Sequence, residues 1–393
     1  MRYGIAAVVL ATGCLSTPPY QPQTSVSYTE AGAGGTATGH DFALRFADGD
    51  GLHFPDALMI DGADVMGHDM GQRCFDEEET GFVIQPTPRI SAHGAPPLLN
   101  QLVPVLRGPA VVQVQLTWTT RLTCAGDHTP GGTSLFTVFP DGRIVRHDTL
   151  DEPNAAGLFT NGCACDSWVG GFTVATYWTL AWTPTLRLYA PDPSMVPSSA
   201  DSGMEIANRG AACVDHGAYQ TAFAWHDPNG TTIHGGHEVN KLLVIGRHFT
   251  VGDSMPKFGW QDSSALFVGR TGCTDALARA GEHVVPSPLT ISEPGNAPRT
   301  VMPGILDGIY GSSDSGDSPP GLALTGDRVE LSGPVNSSFA VWLRFPRPVA
   351  ELRATRDGAT GAWYLPQRVD DRGWIVWFRD RLYPGQTIAI EPF

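Results

Sequence analysis

Beyond its first residues this sequence has no long apolar run, no basic patch, no sustained helical spacing and no repeat of fixed period. Each absence removes a class of protein. A membrane-spanning helix needs about 20 consecutive apolar residues, so the body of the chain does not offer one. A formal charge of −15 without a basic patch excludes nucleic acid as the expected partner, because phosphates must be met by a basic surface. It also leaves anionic lipid headgroups with nothing to bind. The missing period weighs against propellers and solenoids. There is no G-x-S-x-G, no Walker loop and no dinucleotide fingerprint, so the chemistries those motifs carry have no anchor here. Gly252-Asp253-Ser254 follows a late strand with no supporting motif downstream, and the acidic run Asp76 to Glu79 lacks the alternating ligands and sharp glycine of a calcium loop.

What is present begins at the N-terminus. Arg2 is followed by a short apolar run ending in small residues, the layout of a secretory signal and about half the length of a span. Leu10-Ala11-Thr12-Gly13-Cys14 resembles a bacterial lipobox, in which small residues precede the cysteine that receives lipid. The resemblance implies a signal over 1–13, cleavage before Cys14, and a membrane partner reached through the lipid, whose chains contribute about 0.8 kcal/mol per buried methylene. It places the body outside the cytoplasm, facing periplasm or cell surface. Residues 14–39, rich in Pro, Gly, Ala and Thr, read as a flexible tether.

Six cysteines remain: Cys74, Cys124, Cys163, Cys165, Cys213 and Cys273. An even set in an oxidising compartment predicts three disulfides, and six cysteines allow 15 pairings. One residue separates Cys163 from Cys165, so each is expected to reach a different partner. A thiolate metal site would need a second close pair, which is missing.

At 393 residues the chain is long enough for two domains. In Val112 to Leu122 even positions are mostly apolar and odd positions polar, the period of a half-buried strand. Ser134–Phe139, Pro-Asp-Gly and Arg143–Leu150 read as a hairpin. Tyr219–Trp225, Thr231–His234 and His237–Val251 read as a three-stranded meander, and Cys273–Gly281 as a short helix. The predicted fold is all-β: a large antiparallel β-sandwich or jelly roll over 40–310, a linker over 311–321 and a small β-sandwich module over 322–393. The hairpin from Phe136 to Asp148 resembles those of galactose-mutarotase-like and polysaccharide-lyase β-sandwich proteins. Such folds host many functions and settle none.

Two groups of residues carry candidate chemistry. If Gly235-Gly236 form a tight turn, His234 and His237 face each other across a hairpin, with His226 and His216 nearest in sequence as further acid, base or ligand groups. Two imidazoles fall short of the three protein ligands zinc ordinarily takes, so neither metal nor cofactor is expected. On Arg143–Leu150, alternation puts Arg146 and Asp148 on one face and Arg143, Val145 and His147 on the other, which reads as an ordinary cross-strand ion pair rather than an acid–base site. In Trp374-Ile-Val-Trp-Phe378 apolar side chains point both ways, so Trp377 either covers an interdomain contact or stands exposed; with Trp363 it is a candidate sugar platform.

Three functions follow in order: an envelope lipoprotein binding carbohydrate or another surface ligand, a glycan lyase or hydrolase using the His216–His237 region, and a structural envelope component. Changing Cys14→Ala is expected to move the protein from the membrane fraction to the soluble or unprocessed one. Unchanged fractionation, with no added lipid mass on the parent chain, would remove the anchor.

Overall fold

The computed structural model describes residues 25–46, 55, 57–65, 82–86, 98–119, 131–150, 172–181, 187–189, 195–197, 204–207, 211–225, 232–235, 242–250, 260–284, 286–312 and 321–393. The protein is all-β, as the alternation predicts, and its strand pairs are antiparallel except for Leu322–Ala323 beside Phe339–Arg344. Its centre is a nine-stranded sheet. From one edge the order runs Met195–Pro197, Arg187–Tyr189, Ala211–Asp215, Gln220–Trp225, Trp260–Gly269, Arg143–Leu150, Gly131–Val138, Val112–Thr119 and Leu98–Arg107.

The period-two pattern decides what each face of that sheet does. Val112, Val114 and Leu116 are fully buried with Phe136 and Ile144 on one face, where Phe46 from an N-terminal five-stranded sheet meets Phe136 edge-on at 5.4 Å. The other face carries Val145, Ala265, Ala222 and Cys213, and two elements cover it. One is the helix Cys273–Val284, whose Cys273, Ala276, Leu277 and Ala280 recur at helical spacing and pack on Cys213, Ala222, Ala224 and Phe267. Asp275 in its first turn suits the positive end of the helix dipole. A disulfide between Cys213 and Cys273 ties its first residue to the sheet. The other four cysteines expected to pair lie outside the described residues.

The second cover is the C-terminal module. A six-stranded sheet contributes Leu289, Ile291, Val329, Leu331, Ile388 and Ile390 to a core shared with Phe339, Val341, Leu343, Trp374, Val376 and Phe378 of a four-stranded sheet. The alternate residues of those same four-stranded-sheet strands, Ala340, Trp342, Ile375 and Trp377, turn outward onto Val111, Phe139, Val145 and Ala265 of the main sheet. Three sheets therefore stack in layers, the middle one buried on both faces. Polar clamps reinforce the contact. The Gln367 Oε1 accepts from the backbone N–H groups of Ala110 and Val111 at 2.9 and 2.8 Å, and Asp307 accepts from Gln113 at 3.3 Å.

Three sequence expectations shift. The tether does not extend to residue 39: Ser27–Ala31 pairs with Gly34–Thr38 in a sheet, because the small residues that looked unable to pack give Ala37 full burial and leave room at Gly35 for the Tyr28 ring. The module begins before the 311–321 segment, since Leu289–Ser292 and Arg299–Val301 belong to its six-stranded sheet. The meander is divided. Gln220–Trp225 lies in the nine-stranded sheet, whereas Thr232–Gly235 and Leu242–Thr250 pair in a separate five-stranded sheet.

Trp377 is fully buried in the layer between module and main sheet, so Trp377→Ala is expected to cost about 3–5 kcal/mol in chemical unfolding. A loss within the few tenths typical of surface sites would contradict this packing.

Candidate functional site

Of the four candidate histidines the structure describes His216 and His234, which lie in different parts of the fold. His216 sits in the turn after Ala211–Asp215, where its N–H donates to the Tyr219 carbonyl at 3.0 Å and Asp215 accepts from Gly217 and Gln220. Gly217 at φ 87° closes that turn in a conformation side chains avoid. The imidazole stacks on Tyr219 at 4.3 Å and its Nε2 lies 2.9 Å from the Thr221 hydroxyl. Burial pushes its pKa down to about 4, with the neighbouring Asp215 opposing only in part. Burial likewise pushes the Tyr219 phenol up to about 12, helped by Asp61. This is a neutral, structural histidine. His234 belongs to the other sheet, paired with Glu205 on one side and Gly246 on the other. Gly235, expected to begin a tight turn, continues the strand opposite Ile245. His226 and His237 lie outside the described residues. Among the described residues no three His, Cys, Asp or Glu side chains converge as a metal site would require.

The faces of Arg143–Leu150 are as alternation predicts. Arg146 Nε meets Asp148 Oδ2 at 2.7 Å, both essentially without exposure, and the Ser134 hydroxyl donates to Asp148 at 2.5 Å. The pair runs along the strand rather than across it. His147 is buried on the opposite face, between Leu135 and Ser263 in register. On that face Ser263 donates to the Ile305 carbonyl at 2.7 Å, so the module's loop seals this ground.

The two tryptophan candidates are corrected. Trp377 faces the main sheet and presents nothing to solvent, because the module's second apolar face finds a protein partner there. Trp363 is half-buried, stacked near Phe378 at 5.8 Å and capped by the Arg356 guanidinium at 4.4 Å from its ring centre. It holds an arginine rather than offering a free face.

What the fold does build is a groove of about 520 Å³ where the helix meets the module. That volume lies within the range of about 300–1,000 Å³ usual for small-molecule sites. The helix supplies Asp275, Ala278 and Arg279, which lie on the stripe away from Ala276 and Ala280. The module supplies Asn336, Ser337 and Ser338, then Arg356, and finally Arg379 to Arg381 and Tyr383. Tyr383 is 48% exposed, with the Arg381 Nε donating to its hydroxyl at 2.7 Å and the guanidinium 4.6 Å from its ring centre. Arg279 donates to Asp275 at 2.8 Å. Burial disfavours the Asp275 carboxylate, but hydrogen bonds from Arg279 and Thr271 and the charges of Arg279 and Arg381 outweigh it, holding its pKa below the usual carboxylate range. A smaller cavity of about 20 Å³ beside Arg143, Glu282, Tyr310 and Ser338 has room for about one water.

Sequence reasoning missed this groove. Its one local signal is the run Arg379-Asp380-Arg381-Leu382-Tyr383, where a polar pattern ends in an aromatic. Arg279 and Arg356 join it only through the tertiary fold.

No protein-family model matches the chain, and no curated protein matches it in sequence. Similar solved structures include an α-N-acetylgalactosaminidase from Bifidobacterium bifidum, at 11% identity and TM-score 0.40 over 64% of this chain and 38% of that one. A galactose 1-epimerase from Lactobacillus acidophilus is 10% identical, with TM-score 0.37 over 64% of this chain and all of that one. A heparan sulfate lyase from Pedobacter heparinus is 10% identical, with TM-score 0.32 over 72% of this chain and 40% of that one. The chain thus spans about two fifths of the galactosaminidase and of the lyase. The mutarotase-like and lyase proteins that the 136–148 hairpin resembles are both represented. At these scores the likeness concerns β architecture and assigns no site.

Because the His216 pKa is lower folded than unfolded, the unfolded chain binds the extra proton first as pH falls below about 6.5. Stability is therefore full above that value and declines toward pH 4. Denaturant unfolding at pH 7 and pH 4.5 should show a loss at the lower pH that is smaller in His216→Asn. An identical pH dependence in that variant would contradict the assignment.

Proposed function

We propose that the chain is an exported protein, held to a bacterial membrane by lipid on Cys14, whose body binds carbohydrate in the groove between the helix Cys273–Val284 and the C-terminal module. The observation that carries the binding reading is Tyr383, a half-exposed aromatic ring among polar side chains in a concave surface. A sugar offers a ring face of C–H groups and a rim of hydroxyls. Tyr383 meets the first by stacking, and Asn336, Ser337, Asp380 and the arginines meet the second by hydrogen bonding. Such a site on a membrane-tethered body would hold an envelope or environmental polysaccharide near the cell. Among the described residues the groove lining includes no histidine and His216 is engaged in its own turn, so a histidine-based lyase or hydrolase has no support at this surface.

Tyr383→Ala tests the reading. Retention of the purified chain on a glycan array should fall at least about tenfold, as truncation of a central aromatic anchor does elsewhere, with the melting temperature unchanged because the ring packs in no core. Equal retention by parent and variant would overturn this site.

A further inference from the structure

The groove has a charge opposite to that of the rest of the protein. The chain carries −15 overall, yet four arginines, Arg279, Arg356, Arg379 and Arg381, line the groove against two aspartates, Asp275 and Asp380. Lys241 and Lys257 are the only lysines of the whole sequence, so its cations are almost all planar guanidinium groups, which meet carboxylate and sulfate oxygens through two parallel hydrogen bonds.

The aspartates do not use up this capacity. Asp275 is engaged by Arg279. Asp380 is shared, at 3.5 Å from Arg356 Nη1 and 3.4 Å from Arg379 Nε, both longer than a good charge-assisted hydrogen bond. Arg381 donates to a neutral phenol, the Tyr383 hydroxyl. Arg356 has less to offer: its guanidinium is stacked over Trp363 with Nε and Nη2 buried, leaving Nη1, the nitrogen beside Asp380. The capacity for a ligand therefore lies with Arg379 and Arg381, which are exposed. The remaining negative charge of the protein opposes this little, since charges more than about 8 Å away are largely screened at physiological salt.

Resting on the carbohydrate reading above, we infer that the groove takes an acidic glycan, one whose sugars carry carboxylate or sulfate, with Arg379 and Arg381 as the residues that select for the charge. Tyr383 provides stacking that any sugar can use; the arginines provide the preference.

Calorimetric titration of the full chain with three oligosaccharides of equal length tests this: oligogalacturonate, the neutral galactose oligomer, and the same galactose oligomer sulfated. At least one acidic probe is expected to bind tenfold or more tightly than the neutral one, and the two acidic arms tell carboxylate from sulfate. In the double variant Arg379→Gln, Arg381→Gln, at exposed positions that leave folding intact, the preference should collapse to within about twofold while neutral binding persists. Equal affinity for neutral and acidic probes in the parent chain, with Tyr383→Ala weakening both, would overturn the charge preference and leave the carbohydrate reading standing. A preference retained in the double variant would also overturn it. No binding of any probe would overturn both.

Discussion

The contact that the rest of the structure depends on is the burial of Ala340, Trp342, Ile375 and Trp377 against Val111, Phe139, Val145 and Ala265. The four-stranded sheet of the module has two apolar faces, and a sheet with two apolar faces has to be the middle of three layers. Its inner face fills the module's own core, and its outer face is satisfied only by the nine-stranded sheet. The hydrogen bonds that cross the layer are positioned by that packing. Gln367 reaches two main-chain N–H groups more than 250 residues away in sequence, which would otherwise be buried without partners at about 1–3 kcal/mol each.

The groove is a consequence of the same docking. The helix Cys273–Val284 and the module lie side by side on one face of the nine-stranded sheet, each held there by its own apolar contacts and the helix also by the Cys213–Cys273 bond. Two convex elements resting on one surface leave a furrow between them. Polar residues rejected from the helix's packing stripe, Asp275 and Arg279, therefore face polar residues at the end of the module's strands, Arg379 and Arg381. Its arginines need not be near in sequence, because the shared floor brings them together.

Much of the fold was legible in the sequence because strand alternation is a local signal. Val112, Val114 and Leu116 lie on the buried face as their pattern requires, whereas Gln113, expected on a wet face, is buried against Asp307 of the module; Arg146 and Asp148 share a face opposite His147. The helix was legible too, ending at Val284 rather than Gly281. What alternation does not encode is the partner of each strand. Thr232–Gly235 follows Gln220–Trp225 in sequence yet pairs in another sheet, so His234 lies apart from the turn that holds His216. Gly235 and Gly236 looked like turn residues, but Gly235 is in the ladder. Trp377 had two open readings, contact or exposure, and only the position of the main sheet decides between them. The groove left almost no trace, since its residues come from four separated places in the chain.

Native-state hydrogen exchange measures the central claim, that module and main sheet form one cooperative unit across this layer. The amides of Ala110 and Val111, bonded to Gln367, are compared with those of Val376 and Trp377 in the module's central strand. The account predicts that all four exchange with the same free energy and the same denaturant dependence, through one global opening. Exchange of Ala110 and Val111 at a markedly lower free energy, while Val376 and Trp377 stay protected, would show the module detaching as a separate body and would contradict it.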